Sequence, residues 1–176
     1  MFDYLDSAVN GFAVDAAADE MNYLTSPWYG PGGAELDALA VNEWLSPAWC
    51  NPPYGRGLGQ WLDKFAEQGS KGVHIAALLP AYVERIWWKE KVVDRGCDVI
   101  FLTGRVPFEK LCPHCHGEYP NSEDTCSACA GEGFVPGPNP RDPSAIVVYG
   151  PSASSKVGWF DWRNARAGEG FVEVGR

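Results

Sequence analysis

Residues 72–80, GVHIAALLP, are apolar almost without interruption. A strand with one face in water alternates polar and apolar residues. A continuous run of this length therefore predicts a strand covered on both faces. That demand shapes the rest of the chain, because something must cover each side. The segment LGQWLDKFAEQ, residues 58–68, places Leu58, Trp61, Leu62 and Phe65 at helical spacing. VERIWWKEKVVDRG reads as a second helix ending at Gly96. Further strands are expected at GFAVD (11–15), LSPAWC (45–50), DVIFLTG and SAIVVYG (144–150). The stretch SPWYGPGGAELDAL is a loop with room for one helical turn, and the Gly- and Ser-rich tail from Pro151 is assigned no element. Alternating strands and helices predict an α/β fold with a largely parallel sheet and ligands at the carboxyl ends of its strands. Asp15 and Asn51 each end a predicted strand, so both side chains are expected in one crevice.

Composition narrows the function. The chain has 176 residues, enough for one domain with a small insertion, and 45% hydrophobic residues suit a globular core. A net charge of −9 argues against coating nucleic acid electrostatically, although a local basic group remains between Arg85 and Arg105. No apolar run is long enough to cross a bilayer. The opening MFDYLDSAVNG carries acids where a signal peptide carries positive charge. The expectation is a soluble, cytoplasmic protein.

The chemistry concentrates in WCNPPYGRG, residues 49–57. Proline fixes φ and drives the preceding residue toward an extended conformation, so Asn51 is held with its carboxamide at a strand end. Its Oδ1 and the Pro52 carbonyl, aimed by the ring of Pro53, make two rigid acceptors. Paired acceptors suit a group with two N–H donors, and Tyr54 offers a flat face for a planar ligand. An exocyclic amine is a poor nucleophile because its lone pair is delocalised into the ring. Gripping both hydrogens favours pyramidal nitrogen and stabilises the positive charge that grows as it attacks. The electrophile must arrive already activated, as a sulfonium methyl is. The plain alternative for Asn-Pro-Pro is ordinary turn chemistry.

With these residues in view, the chain resembles the phage-encoded DNA adenine-N6 methyltransferases. The likeness runs from FDYLDSAVNGFAVDAAADEMN through LDALAVNEWLSPAWCNPPYGRG to FLTGRVPF and DPSAIVVYG. It implies a Rossmann-like methyltransferase sheet that binds S-adenosylmethionine and DNA. Asn51, Pro52, Pro53 and Tyr54 would form the catalytic corner, holding the amino group of a base turned out of the duplex. Asp15, Ala16, Glu43 and Asn51 would face the cofactor, and Arg85 and Arg105 would meet DNA. Asp15 as a helix N-cap, and Glu43 and Arg105 as surface charges, are the simpler readings beside these. The resemblance places a phage-encoded enzyme in the host cytoplasm and leaves the target site and oligomeric state open. RNA adenine and protein glutamine methylation share the motif. A silent methyltransferase fold acting through protein contacts is the third reading, because the Thr-Pro segment usual before FDYL in that family is not in this sequence.

Six cysteines are present, and four form the pairs Cys112/Cys115 and Cys126/Cys129, ten residues apart. Each pair can form a knuckle giving two thiolates to one tetrahedral zinc. Locally the knuckles look like those of the zinc domain in J-domain chaperones. Residues 109–143 are too few and too polar to fold unstapled, so they are expected to be an inserted zinc ribbon within a methyltransferase domain of residues 1–108 and 144–176. Four protein ligands leave no open position, which makes the metal structural. A redox pair and two disulfides are the alternatives, and His114 or His116 could replace one thiolate. Only Lys110 and Arg141 lie at the ribbon's edges, so it is poorly suited to gripping phosphate.

Overall fold

A computed structural model describes residues 11–115, 126–131, 133–137, 142–161 and 163, and the backbone of 171–173. FDYL, His116 and Arg141 lie outside the described residues. The chain divides into two compact units, one of Met1–Gly104 with Ser144–Arg176 and one of Arg105–Pro143.

The larger unit is a mixed α/β structure. Its strands are β1 (Val14–Asp15), β2 (Ala48–Cys50), β3 (Ile75–Pro80) and β4 (Asp98–Leu102), then β7 (Ser144–Tyr149), β8 (Val157–Phe160) and β9 (Phe171–Glu173). The strands of the smaller unit are β5 (Glu109–Leu111) and β6 (Phe134–Pro136). The seven-stranded sheet has the order β1-β2-β3-β7-β4-β8-β9. The pairs β1/β2, β2/β3 and β4/β8 are parallel, whereas β7 is antiparallel to both its neighbours and β9 to β8. The expectation of a largely parallel sheet is thereby corrected to a mixed one. β1, β2, β3, β4 and β8 run one way, and β7 returns between β3 and β4.

All six residues of β3 are buried, as its apolar run demands. Successive side chains point to opposite faces. Ile75, Ala77 and Leu79 pack with the first helix on one face, and Ala76 packs with Val148, Phe12 and Trp49 on the other. That helix, α1 (Leu58–Ser70), buries Leu58, Leu62 and Phe65 along one stripe. The second, α2 (Ile86–Trp88), continues into a π-helical stretch (Lys89–Val93). It starts later than its sequence suggests, because Arg85 is extended.

The tail that periodicity left unassigned adds β8 beside β4. The buried Asp98 carboxylate fastens it, with Oδ1 accepting the backbone N–H groups of Ser154 at 2.9 Å and Lys156 at 2.8 Å. A comparable polar pin holds residues 42–44. Gln68 is fully buried; its Oε1 accepts the Trp44 N–H at 2.8 Å and its Nε2 donates to the Asn42 carbonyl at 2.8 Å. Asn42 keeps a second partner in Lys71, but among the described residues the Trp44 N–H has no such reserve. Gln68→Leu is therefore expected to cost about 1–3 kcal/mol, the price of one orphaned buried donor, seen as a lower denaturation midpoint. An unchanged midpoint would show that loop 42–44 is held by other contacts.

Candidate active site

The parallel strands β1, β2 and β3 end on one edge of the sheet, and their ends build the site. Cys50 pairs with Ala77, so Asn51 leaves β2 beside the last residues of β3. Asn51 is half-buried, Pro52 buried, and Pro53 and Tyr54 exposed. The Tyr54 hydroxyl lies 3.2 Å from Asn51 Oδ1 and 3.2 Å from the Leu78 carbonyl oxygen, and donates into that pair of acceptors. Although the Tyr54 side chain as a whole is 42% exposed, its hydroxyl is turned into the corner; desolvation there, then the neighbouring Cys50 and Tyr82, push the phenol well above its usual range, so it remains a donor. An amide oxygen has two lone pairs. The Tyr54 contact fixes Oδ1 while one lone pair stays available to an incoming N–H. Among the described residues no hydrogen bond ends on the Pro52 carbonyl.

Beside this corner lies a cavity of about 280 Å³. Asp19, Asn22 and Asp37 give it polar walls; Tyr29, Leu36, Pro53 and Trp61 give it apolar ones. Tyr29 and Trp61 flank the buried Trp44, with ring centroids 6.3 and 6.4 Å from it, so the apolar walls stand on the core. Asp19 and Asn22 brace one turn, the Asn22 amide oxygen accepting the Asp19 N–H at 2.8 Å. Asp37 Oδ1 accepts the Leu39 N–H at 2.9 Å, which fixes the carboxylate beside the cavity that it lines. Gly30 lines the same cavity at φ +141°, and any side chain there would run into the Ala18 carbonyl oxygen.

The other sequence-selected residues fall at different places. Asp15 is buried and does not line the cavity. Its Oδ1 accepts the Ala17 N–H at 3.2 Å and its Oδ2 the Leu24 N–H at 2.9 Å. Burial raises its pKa against the pull of those two bonds. Asp15 thus staples the loop over the end of β1, and buried Ala16 underlies that loop, its N–H bonded to the Trp49 carbonyl at 2.8 Å. Glu43 is exposed between Asn42 and Trp44, outside the cavity lining. Arg85 is exposed, pairs with Glu84 at 3.2 Å and stands 5.8 Å from the centroid of the Tyr82 ring. Arg105 is exposed and belongs to the smaller unit. Sequence reasoning passed over Asp19, Asn22, Asp37 and Trp61, although the acid and amide of ADEMN directly after a strand were a usable signal.

In the smaller unit β5 and β6 pair antiparallel, Leu111 opposite Phe134. The Sγ atoms of Cys112, Cys115, Cys126 and Cys129 all lie within 4.8 Å of one another. Cys112 to Cys126 is 3.8 Å and Cys115 to Cys129 is 3.6 Å. These separations exceed a disulfide bond, about 2.05 Å. They match the edge of a tetrahedron, about 3.8 Å, drawn around a metal with bonds of about 2.3 Å to sulfur. The backbone N–H of Cys115, helped by that of His114, pulls the Cys112 thiol down to about 6, toward the thiolate a metal needs. Gly133 donates to Cys129 Sγ at 3.3 Å. The chain curls beneath the second knuckle through Ala130, Gly131 and Gly133, all at positive φ. The cluster fits zinc.

No described helix is long and apolar enough to cross a membrane. A family model described as DNA N-6-adenine-methyltransferase (Dam) matches residues 1–130. Neither the curated proteins nor the solved structures yield a match.

Proposed function

Because the chain belongs to the DNA N-6-adenine-methyltransferase (Dam) family, we propose that it methylates the N6 amino group of an adenine turned out of DNA, using S-adenosylmethionine. One observation carries the reading: Pro53 lines the cavity while its neighbours Asn51 and Tyr54 are hydrogen-bonded to each other. Donor pocket and amine-gripping corner thus share a wall.

The residues fit both ligands. Bound S-adenosylmethionine would supply an activated methyl on a sulfonium. Asp19 and Asp37 suit its ammonium group and ribose hydroxyls, and Tyr29, Leu36 and Trp61 suit its adenine. Asn51 Oδ1 and the Pro52 carbonyl accept the two N–H bonds of the substrate amine, and Tyr54 keeps Oδ1 in place. As nitrogen takes the methyl it gains positive charge, and these oxygens stabilise that charge until one proton leaves to water. No base is required, since the methylated amine is strongly acidic before it loses its proton. Exposed Arg85 is a candidate for phosphate, and so is Arg56, two residues after Tyr54. Cys112, Cys115, Cys126 and Cys129 would hold a structural zinc in the inserted ribbon.

The test is transfer of a tritiated methyl group to DNA, RNA and total protein in parallel, with the labelled DNA digested to identify the base. Label on N6-methyladenine is expected. Label confined to RNA or to protein glutamine would overturn the substrate assignment.

The donor pocket has its own test. Asp37→Asn keeps the oxygen that caps Leu39 and removes the charge. Calorimetry is expected to show S-adenosylmethionine binding weakened about tenfold, the scale of one hydrogen bond to a charged group. Equal affinity would remove Asp37 from the pocket.

A further inference from the structure

Just past the end of β3, on the edge that carries Asn51, the chain makes a tight turn with an unusual surface. Val83 is 57% exposed and Ile86 is 74% exposed. Scattered exposed aliphatics are common on soluble proteins. Here two β-branched side chains stand three residues apart on one braced turn. The Tyr82 N–H bonds to the Pro80 carbonyl at 2.9 Å, Arg85 to Tyr82 at 2.9 Å, and Trp88 to Arg85 at 3.0 Å. Ala81 at one end and Trp88 at the other are buried, so the turn is anchored on both sides.

We infer that Val83 and Ile86 form an apolar wedge that enters the base stack of duplex DNA and fills the gap left by the adenine drawn out toward Asn51. The inference rests on the DNA-adenine reading above. A flipped base leaves unstacked neighbours, and apolar side chains inserted at that step recover part of the loss. β-Branched residues suit this, because they have little χ1 freedom to lose on insertion. The turn is coupled to the catalytic corner: the Tyr54 hydroxyl reaches the Leu78 carbonyl of β3, and Tyr82 lies close enough to raise the Tyr54 phenol. One exposed cation near the corner suits a phosphate: Arg56, two residues after Tyr54. Within the turn Arg85 and Glu84 pair with each other, so the apolar side chains carry no net charge between them.

The test uses the target adenine mapped with the wild-type protein, in two duplexes. In one the adenine is paired with thymine; in the other it faces an abasic site, where flipping costs little. The double variant Val83→Ser/Ile86→Ser is expected to lose about tenfold in kcat/KM on the paired duplex and to stay within about threefold of wild type on the unpaired one, since unpairing removes most of the few kcal/mol that a wedge offsets. Ile86→Leu keeps the apolar bulk and is expected to keep the paired rate. With 2-aminopurine in place of the target, fluorescence should rise on binding wild type and stay low with the double variant. Unchanged S-adenosylmethionine affinity of the double variant checks its fold. A retained paired rate, or an equal loss on both duplexes, overturns the wedge. A wild-type protein that transfers no methyl to adenine in any DNA overturns the parent reading, and the wedge with it.

Discussion

Replacing Asn51 by alanine is expected to lower methyl transfer about 10²–10³-fold, the scale of removing one preorganised polar group aimed at developing charge. The affinity for S-adenosylmethionine should change little, because the cavity lining includes Pro53 but not Asn51. The fold should also be nearly indifferent: Asn51 is half-buried, and among the described residues its side chain is held by the Tyr54 hydroxyl, which retains the Leu78 carbonyl as an acceptor. Tyr54→Phe separates two effects of the neighbouring ring. It keeps the flat face and removes the hydroxyl that positions Oδ1, so its loss should be smaller, about tenfold, in line with one neutral hydrogen bond. Single-turnover rates with saturating cofactor isolate the chemical step. If Asn51→Ala methylates at the wild-type rate, the amide does not hold the amine and the corner is only a turn.

How much of this was legible in the chain depends on how local the cause was. β3 and α1 follow from the apolar run of 72–80 and the 3.6-residue stripe of 58–68, and both are present at those places. The position of Asn51 at a strand end followed from two prolines, which act on their immediate neighbours. The direction of β7 was not legible. SAIVVY has the same apolar pattern whichever way it runs, and only its pairing with both β3 and β4 decides the matter. β8 was hidden for a related reason: VGWF has one buried residue, Gly158, and its place comes from the Asp98 carboxylate fifty-odd positions earlier. The cavity walls are non-local in the same way. Asp19 and Asp37 look like ordinary loop acids until Asp15 bridges to Trp28 and Tyr29 to Glu35, which folds the two loops toward each other. Asp15 itself shows the converse. Its position was expected to face a ligand, yet it is buried with two backbone N–H groups on its oxygens, and the residues lining the cavity come later in the loop that it holds.

Removing the metal from the four-cysteine cluster is expected to unfold the smaller unit outright. β5 is exposed along its length, and β6 is at most half-buried. Among the described residues of that unit, the buried ones are Cys112, Cys129 and Gly133, all at the cluster. A two-stranded hairpin with no apolar core does not hold together in water. The ordering must therefore come from the ligands, and zinc held by four thiolates contributes on the order of 10–16 kcal/mol. One zinc per chain is the expected content of the purified protein. After chelation, amide exchange should lose protection at Leu111–Cys115 and Cys129–Pro136 and keep it along β3, whose six residues are buried in the larger unit. Cys112→Ser, which removes one of the four thiols, should leave the zinc content below one per chain and give the same exchange pattern. Retained protection in metal-free protein would mean that the thiols pack without a metal, and the tetrahedral spacing of their sulfurs would then need another cause.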